Sequence, residues 1–92
     1  MEENYISIER ICSIHEIEAG FIEELANFRL ITIYKEKYIH FDTLSRLEKM
    51  IVFSKEMHIN VEGIDAIVNL LEQIDSLNDR INQLENRLSL FE

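Results

Sequence analysis

Hydrophobic positions along this chain change their period more than once, and each change marks an element. Ser7 is placed to cap a short helix in which Ile8, Ile11 and Cys12 recur at i, i+3 and i+4. A turn near Ser13 to His15 precedes a second helix, Glu16 to Phe28, with Ile17, Phe21, Ile22 and Leu25 on one face. From Leu30 to Phe41 the pattern becomes alternating. Ile31 and Ile33, then Tyr38, Ile39, His40 and Phe41, flank the polar Lys35-Glu36-Lys37, which predicts a two-stranded hairpin with a charged tip. Asp42 is positioned to cap a third helix, Thr43 to about His58, with an apolar stripe of Leu44, Leu47, Met50, Ile51 and Met57. Asn60 then caps a fourth helix that nothing interrupts. With no proline, and glycine only at Gly20 and Gly63, these breaks rest on caps and changes of period.

The fourth helix carries the cleanest periodicity. With Ile67 at heptad position a, the a sites are Ile67, Ile74, Ile81 and Leu88, and the d sites are Leu70, Leu77, Leu84 and Phe91. Ile at a with Leu at d is the preference of parallel two-stranded coiled coils, and Arg80 to Glu85 and Arg87 to Glu92 have the spacing of interchain salt bridges. These eight residues are the expected dimerisation seam. The competing reading folds the stripe back onto its own domain. Ile64, Val68 and Leu71 widen the apolar face enough for that in residues 61–71, but about 32 helical residues span roughly 48 Å, longer than so small a domain. The distal half is therefore expected to project and pair with a second copy, a helical partner of another kind being the alternative.

The expected fold class is mostly α: a small helix-turn-helix domain with a short β-hairpin wing (residues 1–60) and a long C-terminal coiled-coil helix (residues 61–92). At 92 residues the core is marginal without an interface to extend it. Nine Lys and Arg against 18 Asp and Glu give a net charge of -9, which favours a basic protein partner over DNA or anionic lipid. The single Cys12 cannot form an internal disulfide, the first ten residues lack a secretory pattern, and no apolar run is long enough for a membrane span, so a cytoplasmic protein is expected. No catalytic, metal or cofactor site is expected. His15, His40 and His58 lack ligand spacing, no Gly-rich phosphate loop occurs, and adjacent acids such as Glu23 and Glu24 diverge around a helix.

Tyr5-Ile6-Ser7-Ile8, Ile11, Ile17, Ile22, Leu30, Tyr38-Ile39-His40-Phe41, Leu44, Leu47, Ile51 and Ile59-Asn60-Val61-Glu62-Gly63-Ile64, followed by a coiled coil, resemble the MerR-type winged-helix layout over nearly the whole length. Within that superfamily the chain is most similar to small CbpM-type chaperone modulators, which share the acidic Glu23-Glu24-Leu25 stretch, the short length and a terminal helix starting near a Gly-Ile pair. It departs from the DNA-binding branch. Where those regulators have an arginine and two aromatics after the position of Ile22, this chain has Glu23, Glu24 and Leu25, and where their wing has an arginine between aromatics it has Ile39.

The resemblance implies binding to the J-domain of a DnaJ- or CbpA-like co-chaperone and inhibition of its stimulation of a DnaK-type chaperone. Charge points the same way: a second helix bearing Glu16, Glu18, Glu23 and Glu24 suits a basic helix and repels a phosphate backbone. Those four glutamates, with Phe28 as an apolar anchor, are the expected partner contacts. The plainer reading makes them a solvated helix face. The functional alternative is a MerR-family transcriptional regulator that binds DNA elsewhere on its surface, for example through Lys35 and Lys37.

Overall fold

The computed structural model describes residues 4–91. In chain order the elements are strand β1 (Tyr5–Ser7), helices α1 (Ile8–His15) and α2 (Ala19–Asn27), strand β2 (Tyr38–His40), a 3-10 turn (Phe41–Thr43), and helices α3 (Leu44–Lys55) and α4 (Val61–Phe91). The mostly helical winged helix-turn-helix class is as expected. Ser7 caps α1, its Oγ accepting the Arg10 amide at 3.2 Å. Asn60 caps α4, its side-chain oxygen accepting the Gly63 amide at 2.8 Å.

The wing differs from the expected pair of strands between Leu30 and Phe41. β2 pairs with the N-terminal β1, antiparallel, with Tyr5 opposite His40, Ile6 opposite Ile39 and Ser7 opposite Tyr38. Within the wing itself the ladder is a single bridge between Tyr34 and Tyr38 around a turn in which Lys35 and Glu36 both take positive φ. Leu30 and Ile31 are adjacent and both buried, a pattern at odds with a wing strand that turns only one face to the core. Tyr5 ties the pieces together, its ring lying edge-on to Tyr34 and to His40 at centroid distances of 5.1 and 5.0 Å.

Helix ends also move. α1 runs to His15 and the turn falls at Glu16 to Glu18, so α2 starts at Ala19, and neither Glu16 nor Glu18 lies within it. α2 closes with Arg29 in the left-handed region (φ 61°), the Leu30 amide donating to the Leu25 carbonyl and the Arg29 amide to that of Ala26. This is the pair of bonds that a glycine usually supports. Glu16 (φ 54°) also ends α1 in the left-handed region, but there the Glu16 and Ile17 amides both donate to the Cys12 carbonyl, and the left-handed His58 turns the chain after α3. α3 stops at Lys55 rather than near His58, which leaves Met57 exposed instead of on the buried stripe. Nor does Asp42 cap α3. Its own amide donates to His40 Nδ1 at 3.1 Å, so the chain enters the helix through a 3-10 turn started by His40.

The buried core takes Ile11 from α1, Ile22 and Leu25 from α2, Ile39 from β2, Leu47, Met50 and Ile51 from α3, and Val61 and Ile64 from α4, joined by Leu30 and Ile31. Only the first turns of α4 enter it. Beyond Val68 the helix leaves the core, and the molecule measures 56 × 34 × 21 Å with a radius of gyration of 17.2 Å, against about 12 Å for a compact domain of this length.

The two glycines give opposite expectations. A Cβ at Gly20 meets nothing within 4 Å, whereas one at Gly63 falls 2.7 Å from Ile59 Cγ2 and 3.1 Å from the capping oxygen of Asn60. Gly20→Ala is expected to raise stability by about 0.5 kcal/mol through helix propensity. Gly63→Ala should instead lose about 1 kcal/mol to crowding at the cap. Urea unfolding at one protein concentration reads both, as midpoint shifts with unchanged slope.

Candidate partner-binding surfaces

The five residues expected to meet a partner occupy three different places. Glu23 and Glu24 are exposed on α2, but successive helical residues are turned by about 100°, so they point to opposite flanks. Glu23 lies on the flank of Ala19, facing α1 and the wing turn. Glu24 falls on the flank of Phe28, which stands just past the end of α2 and is 37% exposed. Glu16 and Glu18 belong to the turn between α1 and α2.

That turn is held from a distance. Lys55, at the end of α3, donates from Nζ to the carbonyl of His15 at 2.8 Å and to that of Glu16 at 3.3 Å. A cation on the otherwise unpaired carbonyls that end α1 meets both their hydrogen-bonding need and the negative end of the helix dipole. The Glu16 backbone thus has a structural duty, while its side chain is exposed.

Two further glutamates belong with Glu23. Glu9 on α1 and Glu36 at the wing tip line the same open groove, of about 880 Å³, between α1, the start of α2 and the wing. Periodicity within one helix cannot reveal such a grouping, because three elements contribute one acid each. Cys12 also lines the groove, and burial pushes its thiol pKa up, away from the reactive thiolate.

On α4, Ile67 is half-buried, while Leu70, Ile74, Leu77, Ile81, Leu84 and Leu88 are each between 50 and 64% exposed, and Phe91 is 89% exposed. Seven of the eight seam positions therefore form an apolar stripe that nothing among the described residues covers. Single exposed leucines are ordinary on a protein surface, whereas a stripe this long makes α4 a candidate interaction face. Arg46 reaches Glu72 at 3.6 Å, an exposed pair between α3 and α4 beside the start of the stripe.

Among the described residues no group of His, Cys, Asp and Glu is placed to hold a metal ion, and no helix is long and apolar enough to cross a membrane. In comparison with known proteins, a family model described as MerR HTH family regulatory protein matches residues 6–86, which is 81 of the 92 residues. Neither the curated proteins nor the solved structures contain a match.

The stripe yields a direct test of assembly. Ile81→Asp with Leu84→Asp places two charges at its centre, where burial without partners costs several kcal/mol (about 2–7 for a polar group). Sedimentation is expected to give a dimer for the parent chain at about tens of micromolar and a monomer for the variant. A parent chain that sediments as a monomer there would remove self-association from consideration.

Proposed function

We propose that this chain, which belongs to the MerR HTH family, works as a protein-binding modulator of CbpM type: a homodimer, joined through α4, that engages the J-domain of a DnaJ- or CbpA-like co-chaperone and restrains its stimulation of a DnaK-type chaperone. The observation that carries this reading is the exposed surface of α2. In a helix-turn-helix the second helix is the one that reads DNA, yet here its charged side chains are Glu23 and Glu24, and it contains no Lys or Arg.

Affinity for duplex comes largely from cations that replace the counterions of the phosphates. Two carboxylates at the centre of the would-be contact oppose that. Arg29 lies past the end of α2, and Lys35 and Lys37 at the wing tip are separated by Glu36. Against a basic helix the same carboxylates become an asset, because opposite charges across an interface speed encounter and select the partner. No chemical step is asked of the protein. Binding alone would mask the co-chaperone surface.

The second reading, a transcriptional regulator, is favoured by the family description itself. Duplex binding separates the two. Mobility shifts at low salt, where electrostatic attraction is strongest, are expected to show no complex with duplex DNA, and a specific shift would favour the regulator. Glu23→Lys with Glu24→Lys should leave stability within about 0.5 kcal/mol, as exposed substitutions usually do, while weakening J-domain binding by at least about tenfold, or 1.4 kcal/mol. Parent binding should fall steeply with salt and variant binding much less so. Unchanged affinity in the folded variant would dismiss the α2 glutamates as contacts.

A further inference from the structure

We propose that the groove between α1, the start of α2 and the wing turn is the docking seat, and that it takes a short basic segment of a partner protein that presents one aliphatic or aromatic side chain flanked by Lys or Arg. The proposal rests on the protein-binding reading above and assigns it a place. The groove's floor is apolar: Ile8, Cys12 and Ile33 line it, half-buried and packed against the core on their inner sides. Its rim is acidic, with Glu9 from α1, Glu23 from α2 and Glu36 from the wing. Lys37 also stands at the edge, so three carboxylates oppose one ammonium, a balance of -2.

Shape and charge together select the occupant. An apolar floor without the acids would suit any hydrophobic segment, and the acids without a floor would be a solvated cluster with weak, screened contacts. Combined, they let one apolar side chain enter and exclude water while neighbouring cations meet carboxylates in a partly dried setting, where each contact is worth more than in bulk water. Phosphate would be repelled by the same rim. At about 880 Å³ the groove lies within the range of recognition pockets, yet it is open along its length, which suits a segment of polypeptide.

The walls are fixed before any partner arrives. The Ile8 amide donates to the Lys37 carbonyl at 2.8 Å, Ser7 pairs with Tyr38 across the β1–β2 ladder, and Ser7 caps α1. α1 and the wing turn are thereby clamped side by side, so little ordering of the receptor opposes binding. Glu24 and Phe28, on the other flank of α2, lie outside this seat.

Isothermal titration of the full chain with two probes tests the proposal: the J-domain of a DnaJ-type co-chaperone, and a short synthetic peptide with Lys and Leu at helical spacing. Three variants, each checked for folding by circular dichroism, are compared with the parent. Glu9→Lys with Glu36→Lys reverses two rim charges, Ala19→Trp fills the groove without altering charge, and Glu24→Lys changes the opposite flank. The expected result is that the parent binds both probes and that the first two variants each weaken binding at least tenfold (about 1.4 kcal/mol,), with Glu24→Lys within about twofold of the parent. J-domain binding that ignores the rim reversal and Ala19→Trp would overturn the groove and leave the modulator reading standing. Peptide binding that depends on the groove, without any J-domain binding, would uphold the groove and remove the modulator reading. Failure of both probes to bind the parent would overturn both. Equal losses in all three variants, or losses from charge reversal but not from Ala19→Trp, would reduce the effect to bulk charge and overturn the seat.

Discussion

The anchoring of α4 in the core is the contact on which the rest of the structure depends. Val61 and Ile64 are two of eleven buried hydrophobic residues among those described, and they sit on the helix that carries the exposed stripe. The joint is built closely. Asn60 caps the first turn, Ile59 lies against it, and Gly63 leaves room where a methyl group would collide with both. A domain of this size has little burial to spare, so whatever steadies the outer turns of α4 also steadies the core. An isolated helix with an uncovered apolar stripe is marginal in water, most helical stability in proteins coming from tertiary packing. Covering the stripe and holding the helix-turn-helix together are thus one thermodynamic problem.

What could be read from the sequence was whatever the chain writes locally. Ser7 and Asn60 are side-chain oxygens immediately before apolar repeats, and both cap as expected. The heptads of α4 need no tertiary information, and the uninterrupted helix they predict is present as Val61–Phe91. The ends of α1, α2 and α3 were less legible, because the left-handed residues that close or follow them are Glu16, Arg29 and His58, not the glycines that usually mark such turns. The β1–β2 pairing was hidden for another reason. Three residues near the N-terminus pair with three beyond the wing, and alternation cannot show which strand is the neighbour.

The candidate partner surface is legible in the same partial way. Glu23 and Glu24 were recognisable as exposed from the helical period alone. Spacing alone puts the α1–α2 turn three residues early, at Ser13 to His15, and with it Glu16 and Glu18 on α2, whereas the structure places them in the loop clamped by Lys55. Glu9 and Glu36 do not stand out on their own elements. They gain meaning only when the Ile8–Lys37 hydrogen bond brings α1 beside the wing.

A fold shared with DNA readers therefore leaves function to be argued from its surface. The helix-turn-helix fixes where α2 and the wing stand, and the side chains there decide what they can meet. Carboxylates on α2 do more than weaken an attraction for DNA: under the proposed reading they make the site complementary to a basic partner. Charge alone would leave that partner loosely held, because exposed pairs contribute little. The apolar floor formed by Ile8, Cys12 and Ile33 supplies what charge lacks, a short-range contact that requires desolvation and hence a fit. Long-range selection by the acidic rim and short-range fit at the floor are separable properties, and the proposed seat joins them where α1, α2 and the wing turn pack around one groove.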